Sequence, residues 1–188
     1  MTVRNFKSLL ILIVGVFVLV INCSDSIVES EGDSNLLPNG SFELNNKPSL
    51  YGWRVGNIQL AELVNQAAPN GGNWALKLTS DWAPTTGFVY TPITNVDSGD
   101  IVRLSAYVRG TGVFGGKGII RLVIGQDIYS GNSKKASSSD TVWTQISVTD
   151  TVNLTMTDTL WVILSSPITE IVPFQQLFDL VKLEKILE

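Results

Sequence analysis

The chain has 188 residues and a formal net charge of −4, with 44% hydrophobic and 16% charged residues. This length supports one folded domain with an appendage, and the apolar fraction is sufficient for a core. The absence of histidine excludes histidine-based triads, general bases and metal ligands, while a single cysteine excludes an internal disulfide and a thiolate zinc site. The acidic balance argues against nucleic-acid binding, which depends mainly on clustered Lys and Arg.

The N-terminus has the pattern of a targeting segment. Arg4 and Lys7 precede an apolar run from Leu9 to Ile21. A positive head before an apolar segment of about 7 to 15 residues is typical of a secretory signal peptide, whereas a membrane-spanning helix needs about 18 residues or more. The sequence therefore predicts that residues 1–22 are a signal peptide and that the protein is exported.

The apolar run ends at the only cysteine. The residues Val20-Ile21-Asn22-Cys23 resemble the lipobox of bacterial lipoproteins, although a smaller residue is more usual where Asn22 stands. The resemblance implies a lipid on Cys23 and anchoring to the cell envelope, at the outer membrane or cell surface. An uncleaved anchor helix, or a signal cut elsewhere, is the alternative.

Residues 23–35 are predicted to form an acidic, flexible tether. After Cys23 the chain reads SDSIVESEGDSN. Such a segment has too few large apolar groups to fold by itself, and its charge keeps it extended. The folded domain is predicted to span residues 36–188.

The folded domain has the pattern of an all-β protein. Short apolar or alternating runs are separated by clusters of Gly, Pro, Asn, Asp and Ser, which favours antiparallel strands and turns. We predict an antiparallel two-sheet β-sandwich of jelly-roll type. The predicted strands are residues 41–44, 59–64, 74–79, 87–93, 100–109, 118–126, 144–149, 160–165 and 176–183.

One opening motif is specific enough to indicate a family. Asn39-Gly40-Ser41-Phe42-Glu43 is followed by Gly52-Trp53, and further matching segments come in the same order at 74–78, 104–109, 142–148 and 177–183. The chain resembles carbohydrate-binding modules of families four, nine, sixteen and twenty-two, which are galactose-binding-like jelly rolls. The resemblance covers nearly all of residues 35–187. It implies a non-catalytic domain that binds polysaccharide or oligosaccharide.

A structural calcium ion is also expected. Glu43 near the first strand and Asp179 on the last strand should meet at one edge of the sandwich, where two carboxylates repel unless a cation lies between them. The resemblance implies that their side chains bind Ca²⁺ together with backbone oxygens around Ser41 and Asn73. Alternatively, the two carboxylates only accept hydrogen bonds from backbone amides or contact a surface lysine.

The sugar site should contain exposed aromatic rings, because these stack on the C–H faces of sugars while polar side chains bind the hydroxyls. The resemblance places Trp82 and Tyr129 in a binding cleft and implies ligand contacts from Gln126 and Lys134. Strand parity directs Arg121 towards the same cleft. Alternatively, Trp82 covers a loop, Tyr129 packs against the domain and Lys134 is a solvated charge.

Seven further aromatic residues are assigned to the core or its edges: Phe42, Trp53, Trp74, Tyr107, Trp143, Trp161 and Phe178. Asp81, Asp127 and Glu62 lie near the predicted cleft but in no catalytic motif, so an enzyme is not expected. The leading hypothesis is a surface-tethered glycan-binding lipoprotein that works beside glycoside hydrolases or transporters. The alternative is a cell-envelope scaffold or adhesin that contacts proteins through the same fold.

Overall fold

The computed structural model describes residues 35–80, 86–111, 116–167 and 174–186. The predicted signal peptide, Cys23, most of the predicted tether and Trp82 lie outside these ranges. Within the described ranges, no helix is long and apolar enough to cross a membrane. The described residues contain one short 3-10 helix, at Ile58–Leu60, and their other regular elements are strands.

The strands of the described residues are numbered in chain order. They are β1 Glu43–Leu44, β2 Lys47–Pro48, β3 Arg54–Val55, β4 Ala61–Val64, β5 Ala75–Thr79, β6 Phe88–Ile93, β7 Ile101–Thr111, β8 Gly118–Gly125, β9 Asn132–Ser138, β10 Thr144–Thr151, β11 Thr159–Ser165 and β12 Gln175–Ile186.

These strands form two five-stranded sheets and a small hairpin of β1 and β2. One sheet, here called the β11 sheet, has the order β3-β6-β11-β8-β9, and the other, the β12 sheet, has the order β10-β7-β12-β5-β4. All pairs within both sheets are antiparallel. The predicted two-sheet antiparallel sandwich is confirmed.

The core lies between the two sheets. In β7 the inward residues alternate with outward polar ones, as the sequence predicts, and Leu104 and Val108 have no exposed surface. Leu122 and Val162 of the β11 sheet belong to the same buried cluster. Burial of these apolar side chains, which the alternation places on one face of each strand, is the main force that holds the sheets together.

The opening motif fastens the start of the domain to β12. The Val181 amide donates to the Gly40 carbonyl at 2.8 Å, and a Cβ on Gly40 would lie 1.8 Å from the Val181 carbonyl oxygen. Only glycine allows this close approach. The Trp53 indole donates to the Asn39 carbonyl at 2.6 Å, and its ring packs on Phe42 with centroids 5.8 Å apart.

The folded region begins at or before Asn35, the last residue of the predicted tether. Its Oδ1 atom accepts a hydrogen bond from the Leu183 amide at 2.9 Å, and its amide nitrogen donates to the Val181 carbonyl at 3.0 Å. Asn35 thus mimics one residue of a neighbouring strand beside β12.

Sequence analysis missed three strands, of which β9 is the longest. Its sequence NSKKASS is polar on both faces and resembles a loop. β9 is an edge strand, and Lys and Ser are tolerated there because one side meets solvent and charge discourages further strand pairing. β2 and β3 are two-residue strands, too short for alternation to reveal.

Candidate functional site

The outward face of the β11 sheet carries a row of side chains that crosses all five strands. Arg54 pairs with Tyr90, Tyr90 with Ile163, Ile163 with Arg121, and Arg121 with Lys135. Directly paired residues point to the same face of a sheet. Their neighbours in β8 and β11, Leu122 and Val162, are in the core, so the row faces outwards.

A groove of about 330 Å³ lies at one end of this face. Tyr129, in the connection from β8 to β9, forms one wall, and its side chain is 83% exposed. An exposed aromatic ring beside a guanidinium group provides both a flat apolar surface and hydrogen-bond donors. The lining residues are Thr86, Phe88, Ile119, Arg121, Ile128, Tyr129, Lys135, Ser165, Ser166 and Pro167.

Aromatic rings continue from the groove along the outward face. The ring centroids of Phe88 and Tyr90 are 6.0 Å apart, and those of Tyr90 and Trp161 are 6.1 Å apart. The prediction that Trp161 packs in the core is wrong. Leu160 and Val162 occupy the core face of β11, so Trp161 between them must point outwards, where it is half-buried.

Arg121 lies half-buried between Ile163 and Lys135 in the row. Burial lowers the pKa of its guanidinium because the charged form loses hydration. Its Nε atom is buried and finds no hydrogen-bond partner in the described part of the chain. The side chain therefore carries a donor that the described residues leave unsatisfied.

The structure brings two of the predicted ligand-contacting residues together, since Tyr129 and Arg121 both line the groove. Gln126 does not line it, and its amide donates to Thr157 Oγ1 at 3.2 Å. Lys134 is paired with Leu122 in the inward-facing register, and its ammonium group lies 2.8 Å from Asp150 of β10. Lys135, the next residue, takes the groove position.

Sequence analysis missed Lys135, Phe88 and Tyr90 as candidates. The alternation of β6 contained the signal for the aromatics, because Phe88 and Tyr90 share one parity while Val89 and Thr91 share the other. Lys135 required the pairing with Arg121, which the polar sequence of β9 does not reveal.

Asp127 stabilises the turn that follows β8. Its Oδ1 atom accepts hydrogen bonds from the amides of Ser130 and Tyr129, both at 2.7 Å. These bonds hold its pKa below the ordinary value because they favour the ionised form. Asp127 thereby fixes the backbone turn that presents Tyr129.

A second feature is the predicted carboxylate pair. Asp179 of β12 has no exposed surface, and its two oxygens accept hydrogen bonds from the amides of Ala68 at 2.8 Å and Leu180 at 2.7 Å. Burial raises its pKa to about 7, against the lowering effect of these bonds, and the nearby Glu43 carboxylate raises it further. No lysine or arginine forms a salt bridge with it in the described ranges.

The loop between β4 and β5 joins the two carboxylates. Glu43 Oε1 accepts hydrogen bonds from the backbone amides of Asn73 and Trp74. A Cβ on Gly71 would lie 2.1 Å from Asp179 Oδ2, and one on Gly72 would lie 2.7 Å from both Glu43 oxygens. Both carboxylates therefore accept backbone hydrogen bonds, and no described lysine or arginine forms a salt bridge with Asp179.

This donor set is compatible with a hard cation that takes oxygen ligands. The described residues contain no cluster of three or more acidic or cysteine side chains. Ca²⁺ at this position would therefore need backbone carbonyls and water besides Glu43 and Asp179, which is a common combination. Backbone carbonyls of Ser41 and Asn73 were predicted to contribute. Ser41 lies two residues before Glu43, and Asn73 lies in the loop between β4 and β5. The Ser41 hydroxyl lies 3.4 Å from Asn39 Oδ1.

No protein-family model and no curated protein matches the sequence. Solved structures are similar in fold. A family 61 carbohydrate-binding module in complex with β-1,4-galactotriose aligns with 81% of this chain and 99% of its own, at 16% identity and a TM-score of 0.53. A family 16 module aligns with 79% and 99%, at 18% identity and a TM-score of 0.59.

A third similar structure is a family 22 xylan-binding domain of Paenibacillus barcinonensis Xyn10C. It aligns with 73% of this chain and 94% of its own, at 16% identity and a TM-score of 0.54. Similarity at these identities establishes the shared jelly-roll fold. The expected fold of a carbohydrate-binding module is thereby confirmed.

The raised pKa of Asp179 predicts that, with a chelator present, the free energy of unfolding depends on pH in an unusual direction. The folded carboxyl keeps its proton up to about pH 7, whereas the unfolded one loses it near 3.8. The free energy of unfolding should therefore fall as pH rises from about 4 to about 7, by roughly 4 kcal/mol from this group. Urea denaturation across this range in EDTA measures it.

The control for this prediction is Asp179→Asn, which removes the titrating group. The variant should be less stable at pH 5 than the parent but should lack the decline between pH 4 and 7. An unchanged slope in Asp179→Asn would show that another group causes the pH dependence.

Proposed function

We propose that this protein is a non-catalytic glycan-binding module and that the outward face of the β11 sheet is its binding face. The observation that supports this best is the groove, which is lined both by the exposed Tyr129 and by Arg121. Solved modules with the same fold were captured with galactotriose or are described as xylan-binding. Such a ring and such a donor are the two groups that a sugar surface needs.

The extent of the face matches a chain of sugars more closely than a single one. The aromatic series Phe88, Tyr90 and Trp161 continues from the groove across β6 and β11. Trp82, which the resemblance places in the cleft, belongs to the connection between β5 and β6. Phe88, Tyr90 and Trp161 thus offer neighbouring aromatic surfaces for an oligosaccharide or polysaccharide.

We also propose that Ca²⁺ binds between Glu43 and Asp179 and stabilises the domain. A buried carboxylate without a cationic partner is costly, and a divalent cation removes that cost. The ion would hold the loop of residues 68–74 on β12. Asp179 belongs to the β12 sheet and the groove to the β11 sheet, so the ion would not contact the sugar.

Export and lipid anchoring at Cys23 complete the proposal. The acidic segment after Cys23 would hold the module away from the membrane surface, where it would concentrate glycan for co-localised glycoside hydrolases or transporters. Two or more acyl chains are needed for stable anchoring, because a single chain binds only marginally.

Glycan binding should depend on the groove residues. In a chain that starts at residue 24 and so contains the compact unit Ser34–Glu188, Tyr129→Ala and Arg121→Ala should each weaken binding about tenfold or more, as for central contacts in other interfaces. Trp82→Ala should do the same. A glycan array identifies the ligand, and isothermal calorimetry measures the affinities.

Controls come from a tyrosine and a basic residue that lie outside the groove. Tyr51 is 63% exposed but does not line the groove, and Lys134 points away from it, so Tyr51→Ala and Lys134→Ala should bind as the parent does. If no glycan binds any folded sample, the module is instead a protein-contact scaffold or adhesin.

Calcium should raise the melting temperature. Saturating Ca²⁺ at about 100 times its dissociation constant contributes about 2.7 kcal/mol, which corresponds to a shift of about 5 to 10 °C for a domain of this size. EDTA should reverse the shift, and Glu43→Gln and Asp179→Asn should abolish it. An equal shift in these variants would place the ion elsewhere.

Cys23 should determine membrane association. When the full chain is expressed in a bacterium with lipoprotein processing, the parent should partition into the detergent phase and incorporate labelled fatty acid. Cys23→Ala should do neither and should be released or retained with its signal. Fatty-acid labelling of Cys23→Ala equal to that of the parent would contradict the anchor.

A further inference from the structure

Charge is distributed unequally between the two sheets. The strands of the β11 sheet contain Arg54, Arg121, Lys134 and Lys135 but no Asp or Glu. The strands of the β12 sheet contain both signs, with Glu62, Asp150, Asp179 and Glu184 among them. This is unexpected in a chain whose acidic residues outnumber its basic ones by 17 to 13.

The cations of the β11 sheet also differ in their partners. The salt bridges among the described residues use Lys77, Arg103, Lys134, Lys182 and Lys185. Of these, only Lys134 belongs to the β11 sheet, and it reaches Asp150 on the neighbouring edge of the β12 sheet. Arg54, Arg121 and Lys135 form no salt bridge with any described residue.

These three unpaired cations share one surface. They belong to the single cross-strand row that runs from Arg54 through Tyr90 and Ile163 to Arg121 and Lys135. Like charges on directly paired positions, such as Arg121 and Lys135, destabilise a sheet. Arg121 and Lys135 lie side by side with no carboxylate between them, and together they create a positive field that an anion would neutralise.

Arg121 is the residue for which an anion matters most. It is half-buried against Ile163, and its Nε atom is both buried and unpartnered among the described residues. Partial burial costs a guanidinium part of its hydration, and an opposite charge offsets that cost. Its planar fork matches a carboxylate or a sulfate with two parallel hydrogen bonds.

We propose that the glycan bound on this face is anionic, a polysaccharide that bears carboxylate or sulfate groups on its sugars. The proposal rests on the proposed glycan-binding function and specifies its substrate class. Arg121 and Lys135 bind the anionic group, and Arg54 lies further along the same row for a second one. Tyr129 supplies the stacking surface for the sugar ring.

The test compares ligands that differ only in charge. Short oligogalacturonates and their methyl esters have the same backbone, and a sulfated galactan oligosaccharide and its desulfated form separate sulfate from carboxylate. Calorimetry at a fixed concentration of free Ca²⁺ prevents chelation by the ligand from affecting the result. We expect at least one anionic member of the two pairs to bind about tenfold or more tightly than its neutral counterpart.

Variants connect this preference to the row. Arg121→Gln and Lys135→Gln should each reduce the ratio of anionic to neutral affinity, Arg121→Gln by about tenfold. Arg121→Lys keeps the charge but not the fork and should retain part of the ratio. Lys134→Gln, adjacent in sequence but on the other face, should leave the ratio unchanged. Lys135→Gln and Arg54→Gln are exposed and supply the test if Arg121→Gln does not fold.

The outcomes separate this inference from the proposed function. Equal binding of anionic and neutral members in both pairs, or a preference that survives Arg121→Gln and Lys135→Gln, overturns the inference while leaving glycan binding intact. If the folded parent binds no glycan at all, both the inference and the proposed function are overturned. A preference for one anionic group over the other identifies carboxylate or sulfate as the ligand group.

Discussion

β12 is the strand on which the rest of the domain depends. It lies in the middle of its sheet, between β7 and β5. The start of the folded chain forms hydrogen bonds with the C-terminal half of β12. The pairing of β12 with β7 is interrupted between Asp179 and Lys182, where Leu180 adopts a φ of 48°. This bulge turns Asp179 under the loop of residues 68–74 and brings Val181 against Gly40. The opening motif and the last strand therefore fit each other at one irregular point.

The two sheets differ in how their outward faces are covered. The outward side of β12 around Asp179 is covered by the loop that contains Ala68 and Gly71. The outward face of the β11 sheet instead carries half-buried aromatic rings and cations around a groove. The buried Asp179 and the groove thus belong to different sheets of the sandwich.

Much of the fold could be predicted because alternation reports directly on burial. The nine predicted strands all coincide with observed ones, and Glu43 and Asp179 meet at the same loop, since chain ends of a sandwich share an edge. Tyr129 and Arg121 were identified from the resemblance and from parity. What alternation cannot report is which face of a sheet is covered, and Trp161 was misassigned for that reason.

The pairing of strands also could not be predicted from the sequence. Lys134 and Lys135 are adjacent and chemically equal, and only the register with β8 shows that one reaches Asp150 while the other joins Arg121. The absence of carboxylates from the β11 sheet becomes meaningful for the same reason. It requires knowledge of which strands lie together, and β9 was not recognised as a strand.

The central claim is that ligand binds on the outward face of the β11 sheet. The most direct measurement is an NMR titration of ¹⁵N-labelled protein, from residue 24 onward, with oligogalacturonate and a sulfated galactan oligosaccharide. Ligand bound on this face should shift the NMR signals of the Arg121 Nε–H, the Trp161 indole N–H and the Tyr129 amide, and should leave those of the Ser105 and Lys182 amides of the β12 sheet unchanged. Shifts confined to the β12 sheet, or none with any glycan that binds, would contradict it.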